Sequence, residues 1–422
     1  MATISIITTV SRPHHLLLAY AELSAQTSHD WEWILVPHAE AKIPDPLNSD
    51  PRVHVLATPE WVASLGAPAC QKFGAEKSSG RFLLLLDQLD TLVSGAIARY
   101  LTAIGSDDVD ICYGDFVPAP GDTSYPAAMG WELYDAVIGG KRLTVVSAFE
   151  PDASSLHHSI FAPVHGLLWR RETYFAADGP RVDLGTEADF DLLCRAYLAG
   201  ARIAHLDDCL VTSQRTVFAS ANAERAQQLS NNYVYDLIAE SSRRRSLPMF
   251  DMGAAHNPAP GFVSVDLHDA EVNCDIRYGL PVADNSVGAI RAHDFLEHMT
   301  RCPDSTCTHG DDGKSPRCAV GVMNEFYRAL APGGWLITRT PSSDGRGAFQ
   351  DPTHVSFWNP NSFWYYTRRD QARFVPGIKC RFQGTRIWQM FPSEWHQTHN
   401  IPYACADLIA LKGQRQPGLC EI

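Results

Sequence analysis

The feature that most constrains this chain is a pattern that occurs twice. Short β-rich runs alternate with amphipathic stretches over the first 215 residues and again from Met249 onward, and the intervening Arg215–Arg245 segment is polar and has no Gly or Pro. Each alternation predicts its own α/β sheet. With 422 residues and about 150 residues per domain, two domains are expected. We place them at residues 1–216 and 247–422, joined by a connecting helix over 217–246 whose Arg243, Arg244 and Arg245 form a solvated end. Strands are expected at Ile4–Val10, Trp31–Val36, Arg52–Leu56, Phe82–Leu86 and Val109–Tyr113. A helix is expected over Pro13–Gln26, with Pro13 in its first turn. Val117–Gly140 is rich in Gly, Pro and small polar residues and reads as a surface excursion. The halves share an architecture but no repeated sequence.

Composition narrows the function classes. Hydrophobic residues make up 45% and charged residues 20%, which suits a soluble globular chain and excludes wholesale disorder. Lys plus Arg number 35 against 48 Asp plus Glu, a net charge of -13 that argues against binding to nucleic-acid backbones. The longest apolar runs, such as Phe82–Leu86, fall far short of the roughly 18 residues of a bilayer span, so no transmembrane segment is expected. The N-terminus lacks the features of a signal peptide. Eleven cysteines, an odd number scattered over both halves, read as reduced thiols in a cytoplasmic chain.

In the first half, four segments follow one another: Ser5-Ile6-Ile7-Thr8-Thr9-Val10 with Arg12-Pro13; Ser24-Ala25-Gln26-Thr27 with Trp31-Glu32-Trp33; Gly66 to Gly74 with Gly80; and Leu86-Asp87-Gln88-Leu89-Asp90. In order and spacing they resemble inverting family-2-type glycosyltransferases of the GT-A fold, over roughly residues 3–216. The resemblance implies a nucleotide-sugar donor bound near Thr8, Val10 and Arg12. It also implies a divalent metal, Mg²⁺ or Mn²⁺, at Asp87 and Asp90, countering the charge that grows on the leaving diphosphate. Leu89 departs from the family's Asp-x-Asp, and His38 ends the second strand where acidic residues are usual. An Asp pair at a strand end also caps helices, and that reading stays open. Glu187-Ala188-Asp189-Phe190-Asp191 resembles the family's Glu-Asp-x-Asp motif, which makes Asp189 the candidate general base. Alternatively, Asp189 and Asp191 only favour the helix dipole. His165-Gly166 resembles an acceptor-side loop, and Arg215 is a candidate diphosphate contact.

In the second half, Phe250-Asp251-Met252-Gly253-Ala254-Ala255, Gly261 to Asp266, Cys274-Asp275-Ile276, His293 to His298 and Leu330 to Leu336 form a second series. It resembles class I S-adenosylmethionine-dependent methyltransferases over residues 249–412, which implies a Rossmann-like fold. By that resemblance Asp251, Gly253, Asp266, Asp275 and His293 line the S-adenosylmethionine site, with Asp266 on the ribose hydroxyls. Ala255 replaces a glycine. His354, in the Asp351-Pro352-Thr353-His354 segment, is placed to deprotonate a hydroxyl acceptor or to brace its aromatic loop. Cys302, Cys307, His309 and Cys318 are a ligand set for zinc or free thiols in a loop; their spacing matches no standard knuckle.

Together these readings give a bifunctional enzyme. It adds a sugar to a glycan or glycoconjugate acceptor and methylates the same or a related acceptor. Two alternatives remain: modification of nucleic-acid bases or nucleotides, and a chain in which one domain is a non-catalytic binding module. Leu89, Ala188 and Ala255 motivate the second.

Overall fold

The computed structural model describes residues 3–38, 41–125, 127–158, 165–214, 223–304 and 306–418. The chain divides into two compact units, Met1–Ala127 with Trp131–Leu237, and Ala128–Gly130 with Ile238–Ile422.

The first unit is built on ten strands: β1 Ile4–Val10, β2 Trp31–Pro37, β3 Val53–Val55, β4 Phe82–Leu85, β5 Asp90–Leu92, β6 Ile111–Val117, β7 Glu132–Ile138, β8 Lys141–Ser147, β9 Leu167–Arg170 and β10 Ile203–Ser213. The main sheet runs β3-β2-β1-β4-β9-β6-β10-β5. β1 is parallel to β2 and β4, β9 is antiparallel to β4 and β6, and β5 is antiparallel to β10. β1 and β2 are covered on both faces, which is why they read as apolar runs without alternation. Ile4 and Ile6 enter the larger core beside Trp31 and Trp33, while Ile7 joins Ile34, Val36 and Cys70 on the other face.

Four sequence expectations change, the first being the strand placed at Val109–Tyr113, which runs instead over Ile111–Val117 as β6. Val117–Gly140 contains β7, which pairs with β8 through a two-residue turn at Gly139-Gly140, so it is half of a β-ribbon. The first helix divides into a 3₁₀ turn at Pro13–His15 and an α-helix at Leu16–Ser24. In the polar segment the described helix is Ala223–Arg244, and residues 215–222 lie outside the described residues.

The second unit has seven strands: β11 Met249–Met252, β12 Val263–Asp266, β13 Val272–Asn273, β14 Val287–His293, β15 Leu330–Pro341, β16 Phe382–Met390 and β17 Tyr403–Ala410. Their order is β13-β12-β11-β14-β15-β17-β16. The first five are parallel, and β17 is antiparallel to both its neighbours. From β11 the chain steps outward to β12 and β13, then returns to β14 on the opposite side of β11. The order therefore reverses at β11/β14, where open α/β sheets bind ligands beyond the carboxyl ends of their strands. Phe326 of the helix Ala319–Ala329 packs into the core with Leu336, Phe363 and Phe382.

Candidate functional sites

The end of β1 in the first unit is held by its neighbours. Thr8 is buried, and its hydroxyl accepts a 3.0 Å bond from Trp33 Nε1. The Val10 carbonyl accepts the His38 amide at 2.7 Å. Gln88, which sequence reasoning passed over, clamps the following turn: its Oε1 accepts the amides of Ser11 and Arg12 at 2.9 and 2.7 Å, and its Nε2 donates to Ser11 Oγ. The Arg12 turn is thus tied to the Asp87–Asp90 segment. Asp87 Oδ1 accepts the Leu89 amide at 2.8 Å, closing a local turn. Asp90 opens β5 and does not cap a helix. It is buried, and its Oδ2 lies 2.9 Å from His165 Nδ1. Asp90 Oδ1 and His165 Nε2 are both buried with no hydrogen-bond partner. Two residues read separately from the sequence, a metal ligand and an acceptor-loop histidine, therefore form one buried pair. Arg215 lies outside the described residues.

The carboxylates of the helix Ala188–Leu198 have opposite surroundings. Asp191 is fully buried, 2.7 Å from Arg195 Nε and 2.6 Å from the Tyr233 hydroxyl that donates to it. Asp189 is exposed on the first turn. A second acid–histidine chain was not anticipated. Buried Asp115 accepts from the Ala148 amide, the Tyr134 hydroxyl and His205 Nε2, each at 2.8 Å, while His205 Nδ1 lies 3.0 Å from Glu150. Burial pushes the Asp115 carboxyl up, but the bonds from His205, Ala148 and Tyr134 more than offset it. Burial alone would lower His205, and its two carboxylate partners raise it instead. The only sequence signal was His205 within an ordinary strand.

At the order reversal of the second unit, Gly253 follows β11 with φ +73°, a left-handed conformation that glycine adopts without strain. A Cβ there would come within 3.0 Å of the Phe295 ring. Asp251 is buried and fully engaged: Arg291 reaches both its oxygens at 2.7–2.8 Å, and the Ala259 amide donates to Oδ2 at 2.8 Å. It braces the turn from below. Asp266 ends β12 and accepts the amides of Ala255 and Leu267 at 3.0 and 2.7 Å, one on each oxygen, leaving further lone pairs for a ligand. Ala255 itself has φ +45°. Asp275 caps a 3₁₀ turn and pairs with Arg277 at 2.8 Å; these bonds hold its carboxyl below the usual range. His293 ends β14 with Nε2 buried and without a partner, and burial, then Arg291 and Arg339, push the imidazole down to about 3.

Beyond β14, Glu297, His298 and His354 bring one carboxylate oxygen and two imidazole nitrogens within 4.8 Å of one another. Sequence reasoning quoted Glu297 and His298 only as framework. Glu297 Oε2 accepts from the Thr340 hydroxyl at 2.7 Å, Oε1 is buried without a partner, and burial raises the carboxyl. His354 Nδ1 is 3.1 Å from the Ala348 carbonyl, which only accepts, so Nδ1 carries a proton, and Nε2 lies 3.9 Å from Asp351 Oδ2. The Thr353 hydroxyl donates to Asp351 at 2.6 Å, so both Thr353 oxygens accept from His298 Nδ1 at 3.3 Å. Cys302, Cys307, His309 and Cys318 also come together, with their ligand atoms within 4.8 Å.

No protein-family profile matches the chain, and no curated protein does. Among solved structures, the S. aureus protein TarS, residues 1–349, is 16% identical with a TM-score of 0.40, over 58% of this chain and 72% of that one. The same fragment in complex with UDP-GlcNAc gives 15% identity and a TM-score of 0.43, over 58% and 71%. A mannosyltransferase, PcManGT from Pyrobaculum calidifontis, in complex with GDP-Man and Mn²⁺, gives 12% identity and 0.36, over 57% and 64%. Against longer TarS, this chain covers 42% of the neighbour. Among the described residues, no helix is long and apolar enough to cross a membrane.

Proposed function

We propose that the chain is a two-unit transferase. The first unit moves a sugar from a nucleotide-sugar donor with inversion, and the second moves a methyl group from S-adenosylmethionine to a hydroxyl of the same or a related glycan. The observation that carries the reading is the order reversal of the second sheet, where Gly253 follows β11 and Asp266 and His293 end β12 and β14 on either side of it. A left-handed glycine turn, a carboxylate with lone pairs to spare and an unpartnered buried imidazole nitrogen fit a nucleoside carrying a charged side chain.

When bound, S-adenosylmethionine supplies a methyl group activated by its sulfonium. The chain supplies the rest. Asp266 holds the ribose hydroxyls. His354, whose Nδ1 is held by the Ala348 carbonyl, would accept the acceptor hydroxyl proton at Nε2. A Glu297 carboxylate oxygen within 4.8 Å of both imidazoles would stabilise the imidazolium. Phe349, in the short helix Gly347–Gln350, and Phe357 are exposed and stacked at 4.8 Å, and they offer an apolar surface to a sugar ring.

In the first unit, exposed Asp189 takes the acceptor proton. Asp90, whose Oδ1 is buried and unpartnered, would hold a divalent cation with Asp87, and that cation would offset charge on the diphosphate.

Calorimetry on the full chain tests the second unit. S-adenosylmethionine should bind, and Asp266→Ala should weaken it by about 1.5–3 kcal/mol, the range for hydrogen bonds to a charged group. His354→Ala should keep binding and lose methyl transfer to glycan. Absence of binding by the unmodified chain would end this reading. For the first unit, donor hydrolysis across a panel of nucleotide sugars should require Mn²⁺ or Mg²⁺ and vanish with chelator.

A further inference from the structure

We propose that Cys302, Cys307, His309 and Cys318 hold one structural zinc ion that closes the loop between β14 and the helix Ala319–Ala329. Their four ligand atoms all lie within 4.8 Å of one another. His309 Nδ1 is 3.2 Å from Cys318 Sγ and 3.9 Å from Cys302 Sγ. Those distances bracket the separation of about 3.5 Å that bonds of about 2.3 Å to sulfur and about 2.0 Å to nitrogen impose on two ligands of a tetrahedral ion.

Independent features prepare the same point. Cys318 is the N-cap of the helix Ala319–Ala329, so its side chain stands at the end where the first-turn amides have no partner within the helix. The His309 ring is seated with Nδ1 toward the sulfurs. Its other nitrogen lies against Gly377, where a Cβ would come within 1.9 Å of Nε2, so a larger residue would unseat the ring. The three cysteines are unbridged.

The loop is tied by polar contacts such as Lys379 to Asp311 at 2.6 Å and the Arg317 amide to the Arg277 carbonyl at 2.8 Å, but it has no apolar anchor. Among the described residues from 300 to 317, Gly310 alone is buried, so no apolar side chain anchors the segment. A metal supplies the folding free energy that such a loop cannot get from a core. Four protein ligands leave no open position, which makes the site structural and not catalytic. Binding releases the three thiol protons, so the zinc carries a net charge of minus one with its ligands. Cys302 follows His298 by four residues, and the ion therefore ties the Glu297–His298 segment to the helix.

The test is metal content, which is independent of either transferase activity. The full chain purified under reducing conditions without chelator should carry one zinc per chain. X-ray absorption should show three sulfurs at about 2.3 Å and one nitrogen at about 2.0 Å. Cobalt exchanged into the site should give the intense visible bands of a tetrahedral thiolate centre. Cys318→Ser should lose most of the zinc, and Gly377→Ala, which touches no ligand bond, should weaken retention at least tenfold. Reduced protein that takes up no stoichiometric zinc from a zinc buffer would overturn the proposal, as would full retention of the metal by the Cys302→Ser/Cys318→Ser double variant. A zinc shell without sulfur would do the same. The metal count and absorption spectrum come from the unmodified chain, so they decide the matter even where a variant fails to fold.

Discussion

Asp189 and Asp191 stand two positions apart in one motif, yet half a helical turn separates a solvent-facing carboxylate from one sealed between Arg195 and Tyr233. Sequence spacing identified the pair but could not divide the roles, because the residue that buries Asp191 lies 42 positions away. Asp191→Ala should therefore cost about 3 kcal/mol of stability, as removal of one partner of a buried ion pair does. Asp189→Asn should leave the melting temperature nearly unchanged while sugar transfer falls by about 10²–10⁴, the usual contribution of a general base. Normal turnover in that variant would place the base elsewhere. His293 gives a prediction in pH. Its imidazole is held down to about 3, so below about 6.5 the unfolded chain binds a proton that the folded chain refuses. Stability then rises with pH across this window, and is lost on acidification at up to about 1.4 kcal/mol per pH unit from this group. His293→Gln should flatten that part of a stability-versus-pH curve measured by urea unfolding.

Among the elements, β1 and β2 were readable from the sequence, β6 begins two residues and ends four residues later than expected, and β5 and β7 were not read as strands. β1 and β2 are sealed on both faces, and their apolar runs gave their limits within a residue. β7 is largely exposed from Glu132 to Ile138 and carries no alternation to read. Its signal lay in the turn. Gly139 and Gly140 have φ +57° and +77°, the double left-handed geometry of a tight hairpin, and Ile138 pairs directly with Lys141. Replacing both glycines with alanine should cost about 1–2 kcal/mol at each position and raise amide exchange across Glu132–Ser147. An Asn-Gly pair should keep the protection, and equal protection in all three chains would show that the ribbon is held by its neighbours and not by its turn. The Asp90–His165 pair was hidden for a different reason. Each residue was singled out alone, but only the antiparallel insertion of β9 beside β4, and of β5 beside β10, brings residues 75 positions apart to 2.9 Å.

At the scale of the molecule, the helix Ala223–Arg244 decides where the chain can be cut. Its polar composition suggested a linker outside both domains, beginning at residue 217. The structure instead seats its first part in the first unit: Ser230 Oγ bonds His157 at its carbonyl and Nδ1, Tyr233 donates to Asp191, and Ala226, Val234 and Leu237 are buried. The division between the units falls at Leu237 and Ile238. In the second unit, Ser242 packs against Gly288 so closely that a Cβ there would come within 2.4 Å of Ser242 Oγ. A low fraction of apolar residues concealed this because three or four of them on one stripe suffice to dock a helix. A fragment ending at Thr216 should thus leave Asp191 without its tyrosine and expose the apolar surface under the helix, whereas one ending at Glu240 keeps both. Burial of two or three aliphatic side chains at about 1.5–3 kcal/mol each predicts that the longer fragment melts well above the shorter one, or that only the longer one is recovered folded. A fragment starting at Ile238 should retain the β11/β14 order reversal and bind S-adenosylmethionine, although it lacks Ala128–Gly130, whose Met129 carbonyl accepts the Gly418 amide at 3.1 Å. Circular dichroism melts of the three fragments separate the cases. Equal stability for the Thr216 and Glu240 ends would return the helix to the status of a linker.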